Sequence, residues 1–272
     1  MRKEIWSNFP YLIWLAFYYV LFSLMFGANG TSFIVVAVIY AVSILTALSP
    51  AAEGIYRWAS KVRPMAHSKE IDRLLPLFEE VYDEALEIDP RLPKDINLYV
   101  QEDMDINAFA FGRSTLVLTR GSIEMLSDES LKGLMAHEFG HFSHLDTTVI
   151  LIAYVGNMSL SIFTKFFFWF VGTMNKIMPS EERAFMIRCL QKTLVFLFKT
   201  ILFIGDLILM PVSRSHEYMA DAFADKCGFG NQLAYVLYQI YKISKSGKGS
   251  VIEQLRSTHP PLSQRIGRLE RD

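Results

Sequence analysis

The sequence predicts an α+β chain, in which a mainly helical polar domain with a small β-sheet is joined to apolar helices. Composition is the first sign, because the 272 residues are 51% hydrophobic and only 20% charged, against about 25% charged in ordinary globular chains. The apolar residues are also concentrated in a few long runs. The polar remainder combines helical spacing with short runs that are typical of β-strands.

The N-terminal segment contains no charged residue or histidine between Ile5 and Ala52. Two apolar runs there flank a turn-forming cluster at residues 27–31, and each approaches the ~17–25 residues that span a bilayer. Residues 1–52 are therefore predicted to form a transmembrane helical hairpin. A cleaved signal peptide is the weaker alternative, because a second apolar run follows at once. Basic residues flank the hairpin and are missing from its turn, which places the chain after Ala52 in the cytoplasm.

The later segment 147–212 is predicted to supply one or two further apolar helices. Its last stretch carries Lys199 and Asp206, so both helices either span the membrane, lie on it, or pack against the polar domain. Residues 53–146 and 213–272 are predicted to be the two parts of that polar domain. The net charge of −1 argues against a partner with a phosphate backbone, so no nucleic acid is expected.

The polar parts contain recognisable elements. Helices are predicted over 71–88, 213–227 and 231–244, and strands over 96–100, 108–111 and 115–119. Residues 245–250 are predicted to be a flexible loop. Ser127 is expected to cap a helix that runs to about His144, and Pro261 is expected to begin a short final helix.

One motif in this domain indicates metal chemistry. His137, Glu138 and His141 form an H-E-x-x-H pattern inside a predicted helix. Residues four apart share a helix face, so the two imidazoles can bind one Zn²⁺. Glu138 projects beside the metal, where it can act as the general base that accepts a proton from water. Two chance histidines on a solvated helix are a far less probable explanation.

A catalytic zinc needs a third protein ligand and an open position. His144, His216 and Glu217 are the candidates. His144 lies too far along the same helix to share the ion, and His216 is expected to be a solvated or supporting residue. Glu217 is favoured, because Asp221 lies on the same face of its helix and can hydrogen-bond a ligand histidine.

Two further segments fit a peptide-cleaving site. An exposed strand can hold an extended peptide by main-chain pairing, and the candidate strand residues are Asn107, Ala108, Phe109, Ala110 and Phe111. An ordinary core strand would account for its phenylalanines equally well. His259 precedes a rigid Pro-Pro turn and could donate to an oxyanion.

Four motifs together resemble the HtpX-like integral-membrane zinc metalloproteases, which are related to the prenyl-protein endopeptidases of the endoplasmic reticulum. The motifs are residues 107–112, 137–141, 213–221 and 257–262, the last followed by Arg265. The resemblance implies a zincin-type metalloprotease domain with His137, His141 and Glu217 as zinc ligands. It also implies Glu138 as general base, Asp221 as support for a ligand, a substrate-binding edge strand at 107–111, and His259 near the active site. Relatives often have arginine in place of His216, a departure expected to have little effect.

The resemblance implies a multi-pass protease of a prokaryotic-type cell membrane, with its catalytic domain facing the cytoplasm. Such a protease would degrade misfolded or damaged membrane proteins under stress, and relatives tend to cut themselves. Two other hypotheses are a prenyl-protein-type processing endopeptidase and a membrane adaptor that uses zinc only for structure. An adaptor has no use for Glu138, so Glu138→Gln separates the adaptor from an enzyme. The sequence gives no oligomeric state.

Overall fold

A computed structural model describes most of the polar part of the chain and selected positions in the apolar segments. The described residues are 9–11, 13–17, 19–20, 23, 29–148, 165–166, 169, 172–173, 185, 189, 192–193, 196, 200, 213–246 and 260–271. They belong to two compact units. The first unit combines the described residues within 46–151 and 212–272, and the second combines those within 9–45 and 152–211.

A small mixed sheet lies in the first unit. Its strands are β1 (Val62–Pro64), β2 (Asn97–Gln101), β3 (Ala108–Phe111) and β4 (Thr115–Thr119). The order across the sheet is β1-β2-β4-β3, with β2 parallel to β4 and the other two pairs antiparallel. Among the described strands, β3 therefore lies at an edge of the sheet, next to β4.

The helices account for most of the described chain. They are α1 (Gly30–Ala47), α2 (Pro50–Ala59), α3 (Ser68–Ile88), α4 (Arg120–Met125), α5 (Asp128–Ser143), α6 (residues 213–226), α7 (Gly230–Ser246) and α8 (Leu262–Leu269). Helix α5 contacts α3, α7 and β3, so it runs through the centre of the first unit.

The hydrophobic core surrounds α5. Phe139 of this helix is fully buried, and its ring lies 5.6 Å from the ring of Phe78 and 5.4 Å from the ring of Tyr82, both on α3. All five residues of β4 are buried as well. Aromatic pairs of this kind stabilise the fold beyond the contribution from burial of their apolar surface. The helix that carries the H-E-x-x-H motif is therefore fixed in position by the core.

The predicted α+β class is confirmed, as are the β3–β4 hairpin, the Ser127 cap and the short final helix. Helix α3 begins three residues earlier than predicted, at Ser68, and β2 is shifted by one residue. Lys245 and Ser246 were predicted to lie in a loop but end α7, while the rest of that loop lies outside the described residues. The helix extends through these two residues because lysine has a good helix propensity and serine is tolerated in the last turn.

Three elements were not predicted. Strand β1 has only three residues and includes Pro64, so it carries no alternating pattern. Helix α4 is a six-residue helix whose N-cap Thr119 is also the last residue of β4. Helix α2 begins at Pro50, inside the segment that the sequence assigns to a membrane hairpin.

The second unit contains helix α1 except for its last residues. The Tyr19 hydroxyl donates a hydrogen bond to the carbonyl oxygen of Phe33 at 3.0 Å, and Val36 is 2% exposed. The outward-facing residues of α1 are nonetheless apolar, and include Ile34, Val38 and Val42 with 66%, 56% and 56% of their surface exposed.

A search of the described residues for membrane spans finds no single helix that is both long and apolar enough. The consecutive helical stretches Phe33–Ala47 and Pro50–Ala59 meet the length and composition criteria together, with a bend of 75° between them. Most of the predicted spans within 147–212 fall outside the described residues.

Candidate metal centre

Helix α5 begins with a strong cap and is buried over most of its length. The Ser127 hydroxyl accepts a hydrogen bond from the backbone N–H of Ser130, and Asp128 and Glu129 face the positive end of the helix dipole. His137 and Glu138 are each only 5% exposed. The motif is therefore held in a low-dielectric interior rather than on a solvated face.

Three side chains converge at the centre of this unit. The imidazole rings of His137 and His141 lie 4.9 Å apart, as expected for positions four apart on a helix. Glu217 of α6 places Oε2 3.6 Å from His137 Nε2, and Oε1 3.7 Å from His141 Nε2. One potential ligand atom from each residue lies within 4.8 Å of the other two.

This set of donors fits zinc. Two imidazoles and one carboxylate leave a fourth tetrahedral position open, which is the arrangement of catalytic rather than structural zinc sites. Both histidines present Nε2 toward Glu217, while their Nδ1 atoms are engaged by other carboxylates. The sequence-based expectation of His137, His141 and Glu217 thus corresponds to one compact cluster.

A glycine allows the two ligand-bearing helices to approach each other. A Cβ added at Gly140 would lie 2.7 Å from Ala220 Cα and 3.0 Å from Ala220 O. These distances are shorter than real side chains tolerate, so α5 and α6 touch backbone to backbone at this point. Because Ala220 follows Glu217 by one helical turn, this contact sets how far Glu217 reaches toward the histidines.

Asp221 contacts His137, at the position that the sequence predicts. Its Oδ1 lies 3.0 Å from His137 Nδ1, and the carboxylate is 3% exposed. A carboxylate at Nδ1 fixes the tautomer and orientation of a ligand histidine and raises the basicity of its other nitrogen.

Asp146 makes the corresponding contact with His141, and sequence reasoning missed it. Its Oδ2 lies 3.2 Å from His141 Nδ1, and its Oδ1 lies 3.1 Å from His216 Nδ1. Asp146 is fully buried. Leu145 adopts a left-handed backbone with φ +61°, which ends the helix and turns Asp146 back toward it. Asp146 follows His141 by only five residues, which is a weak signal for a contact between them. The left-handed turn that makes this contact possible cannot be predicted, because leucine rarely adopts that conformation.

His216 is a supporting residue rather than a solvated one, because it is 2% exposed and contacts Asp146. His144 lies outside the cluster, where its Nδ1–H donates to the carbonyl oxygen of Gly140 at 2.7 Å. His259 lies outside the described residues, so its predicted role stays a prediction.

Arg265 is the second residue whose contribution the sequence did not reveal. It belongs to a recognised motif, but only the structure shows its partners. Nη1 lies 2.8 Å from Glu217 Oε2, and Nη2 and Nε donate to the two oxygens of Asp221 at 2.6 and 2.9 Å. Burial alone would favour a neutral Asp221, but the bonds from His137 and Arg265 outweigh it and lower the pKa of this carboxyl group.

The centre is electronegative. Burial disfavours the charged form of His141, but the hydrogen bond to Asp146 and the nearby charges of Glu138 and Glu217 outweigh it and raise the pKa of His141 to about 9. The carboxylates that raise this pKa would also attract a divalent cation.

Strand β3 contacts α5, the helix that carries the H-E-x-x-H motif. Thr119 donates its backbone N–H to the carbonyl oxygen of Asn107 at 3.1 Å. Hydrogen-bonded positions alternate along an antiparallel ladder, so Asn107 and Phe109 direct their backbone groups toward β4. Ala108 and Ala110 direct theirs away from β4, toward the side where the described residues form no further strand. The predicted edge strand is present, and its role in substrate binding stays a prediction.

Comparison with known families accounts for these motifs together. The model of peptidase family M48 matches residues 77–272, a range that contains the whole cluster. The chain belongs to peptidase family M48. The expectation of an HtpX-like chain is confirmed by its relatives.

Three relatives illustrate the similarity. A protease HtpX homolog from Aquifex aeolicus (strain VF5) is 32% identical over 187 residues, which cover 60% of this chain and 61% of that protein. A protease HtpX homolog from Limosilactobacillus reuteri (strain DSM 20016) is 26% identical, with 98% of this chain and 96% of the relative covered. The crystal structure of S. mikatae Ste24p has a similar fold, with a TM-score of 0.55 at 20% identity, and the match covers 99% of this chain and 66% of that one.

Proposed function

We propose that this M48 chain is a zinc endopeptidase that hydrolyses peptide bonds of membrane or unfolded proteins. The observation that carries the proposal is the convergence of His137, His141 and Glu217, with Glu138 on the same helix. Family membership supports it, since the match covers every residue of the cluster.

The residues of the chain divide the chemistry among them. When bound, zinc would supply a Lewis acid for the scissile carbonyl and lower the pKa of the attacking water. Glu138 removes a proton from that water and then delivers it to the leaving amine. No covalent intermediate with the protein is needed.

Asp221, Asp146 and Arg265 hold the reacting groups in place. The two aspartates fix the ligand histidines through Nδ1, and Arg265 joins Glu217 to Asp221. Its positive charge also limits the electrostatic repulsion among the buried carboxylates.

The substrate is held extended along β3. Ala108 and Ala110 offer backbone donors and acceptors on the side of β3 that faces away from β4, where an extended peptide can pair with them. Main-chain pairing recognises any extended segment regardless of sequence. This arrangement suits a protease that degrades misfolded proteins rather than one that recognises a single processing site.

We further propose that the enzyme is an integral membrane protein whose catalytic unit faces the cytoplasm. The charge-free sequence from Ile5 to Ala52 and the exposed apolar side chains of α1 support insertion into a bilayer. The basic residues on both sides of this segment support the orientation. Clearance of damaged membrane proteins under stress is the physiological role that fits this placement.

The test compares wild type with Glu138→Gln, purified in detergent with a chelator and then supplied with zinc. We expect wild type to digest casein and to cut itself only when zinc is present. The variant should bind one zinc per chain without cleaving. Glu129→Gln is the control, because Glu129 lies on the first turn of the same helix and is exposed. Cleavage that survives in Glu138→Gln would refute the proposed mechanism, and zinc binding without cleavage in wild type would favour an adaptor.

A further inference from the structure

Glu53 is a buried carboxylate that lies outside the metal centre. It is only 6% exposed, and it belongs to the first turn of α2. Its Oε1 accepts the backbone N–H of Arg113 at 2.6 Å, and its Oε2 accepts the hydroxyls of Ser114 and Thr115 at 2.8 and 3.0 Å. Arg113 and Ser114 lie in the turn between β3 and β4, and Thr115 is the first residue of β4. One carboxylate thus holds the entire turn.

Other contacts join the same two elements. The Tyr56 ring stacks on the ring of Phe111, the last residue of β3, with centroids 3.7 Å apart and planes 15° apart. Arg57 donates to the Thr115 hydroxyl at 2.7 Å and lies 3.6 Å from the Glu53 carboxylate. Three side chains of α2, from little more than one helical turn, therefore converge on the end of β3 and the start of β4.

The space around the turn is shaped for this carboxylate. A Cβ at Gly112 would overlap the carboxylate group of Glu53. The Gly112 carbonyl oxygen accepts a hydrogen bond from the Thr147 hydroxyl at 2.7 Å. Glycine at position 112 makes the close approach of Glu53 possible. The turn is therefore held by Glu53 and by Thr147.

We infer that Glu53 is a positioning residue for substrate. It fixes the β3–β4 turn, and thereby the position of the β3 backbone on the side that faces away from β4. The inference rests on the proposed function, in which β3 receives an extended peptide. An edge strand has one strand neighbour, so the anchoring of its turn strongly affects its position. The reacting groups lie on α5 and α6, whereas Glu53 lies on α2 and contacts the β3–β4 turn. Loss of the Glu53 carboxylate should therefore weaken substrate binding more than it slows the chemical step.

The test separates KM from kcat in Glu53→Ala and Glu53→Gln, using full-length protein and an unstructured fluorogenic peptide. We expect Glu53→Ala to raise KM roughly tenfold, since charge-assisted hydrogen bonds to the turn are lost, while kcat changes less than about twofold. Glu53→Gln should fall between wild type and Glu53→Ala, because one oxygen acceptor remains. It also keeps the test available if Glu53→Ala does not fold.

Glu70→Ala is the matched control. Glu70 is similarly buried, at 8% exposure, and is held by Arg63 and Arg120 near the opposite edge of the sheet. Its loss should reduce thermal stability and leave KM unchanged. An unchanged KM in both Glu53 variants, or an equal rise in Glu70→Ala, would overturn the inference.

A binding measurement keeps this inference apart from the proposed reaction. The dissociation constant of a labelled extended peptide is measured by fluorescence polarisation on the Glu138→Gln protein, with and without Glu53→Ala. Weaker binding only in the Glu53 variant supports the inference even where no cleavage is observed. Equal binding contradicts it even where wild type is a fully active protease.

Discussion

Substitution of Gly140 by alanine tests how the metal centre is assembled. The added Cβ would lie 2.7 Å from Ala220 Cα, whereas carbon atoms in contact are ~3.5–4.0 Å apart. Helix α6 must therefore retreat by about 1 Å, and Glu217 moves with it. Metal–ligand distances tolerate only about 0.2 Å. We expect the zinc affinity of Gly140→Ala to fall at least ~10–100-fold, the range seen when support for a ligand is lost.

Gly133→Ala separates this effect from general destabilisation. Gly133 lies on the same helix, and a Cβ there would lie 2.5 Å from the backbone nitrogen of Leu233 on α7, which carries no ligand. Both variants gain the same helix propensity of ~1 kcal/mol and lose ~1–3 kcal/mol to overpacking. Their stabilities should be similar, so a difference in zinc affinity reports the position of α6.

The assay is a zinc titration against a competing chelator, performed on full-length protein that also carries Glu138→Gln to prevent self-cleavage. Thermal unfolding of each metal-free variant measures the loss of stability that both glycine substitutions are expected to cause. The reasoning is refuted if Gly140→Ala binds zinc as tightly as its parent. It is equally refuted if Gly133→Ala weakens binding as much.

Three further predictions follow from buried contacts. Asp146→Asn should lower zinc affinity by ~10–100-fold with little change in helix content, because His141 loses its orienting carboxylate; competition with a chelator measures this. Phe139→Ala should lower the free energy of unfolding by ~3–5 kcal/mol, which denaturant titration measures. The hydrogen bond from Arg63, together with that from Arg120, lowers the pKa of Glu70 to about 2. Its stabilisation is present above the ordinary carboxyl value of ~4.3 and is lost as pH falls toward 2. Glu70→Gln should therefore flatten the pH dependence of unfolding between about pH 5 and 2, and a wild-type slope in the variant would contradict this.

Much of the polar domain could be predicted from local sequence. Helix α3 shows clear helical spacing, and its buried residues Leu74, Phe78 and Val81 lie on one face. The β3–β4 hairpin has a glycine-containing turn between two short apolar runs. The ligand pair of α5 follows from its four-residue spacing alone. In each case the signal lies within one element, so no knowledge of tertiary structure is required.

The remaining site residues act across elements, and their signals are correspondingly weak. Arg265 meets Asp221 from a separate helix, and Asp146 reaches His141 only because Leu145 adopts a left-handed conformation. The hydrogen bonds of Glu53 to a turn some sixty residues away in sequence are equally nonlocal. A lone arginine, aspartate or glutamate in a sequence is most often a surface residue, so only the folded arrangement distinguishes these three.

The most direct test of the central claim is zinc K-edge X-ray absorption of the zinc-loaded, full-length protein. The account predicts one zinc per chain with nitrogen and oxygen ligands at ~2.0–2.2 Å, scattering from two imidazoles, and loss of one protein oxygen ligand in Glu217→Ala. Sulfur scattering, a third imidazole, or a spectrum that Glu217→Ala leaves unchanged would contradict a centre built from His137, His141 and Glu217.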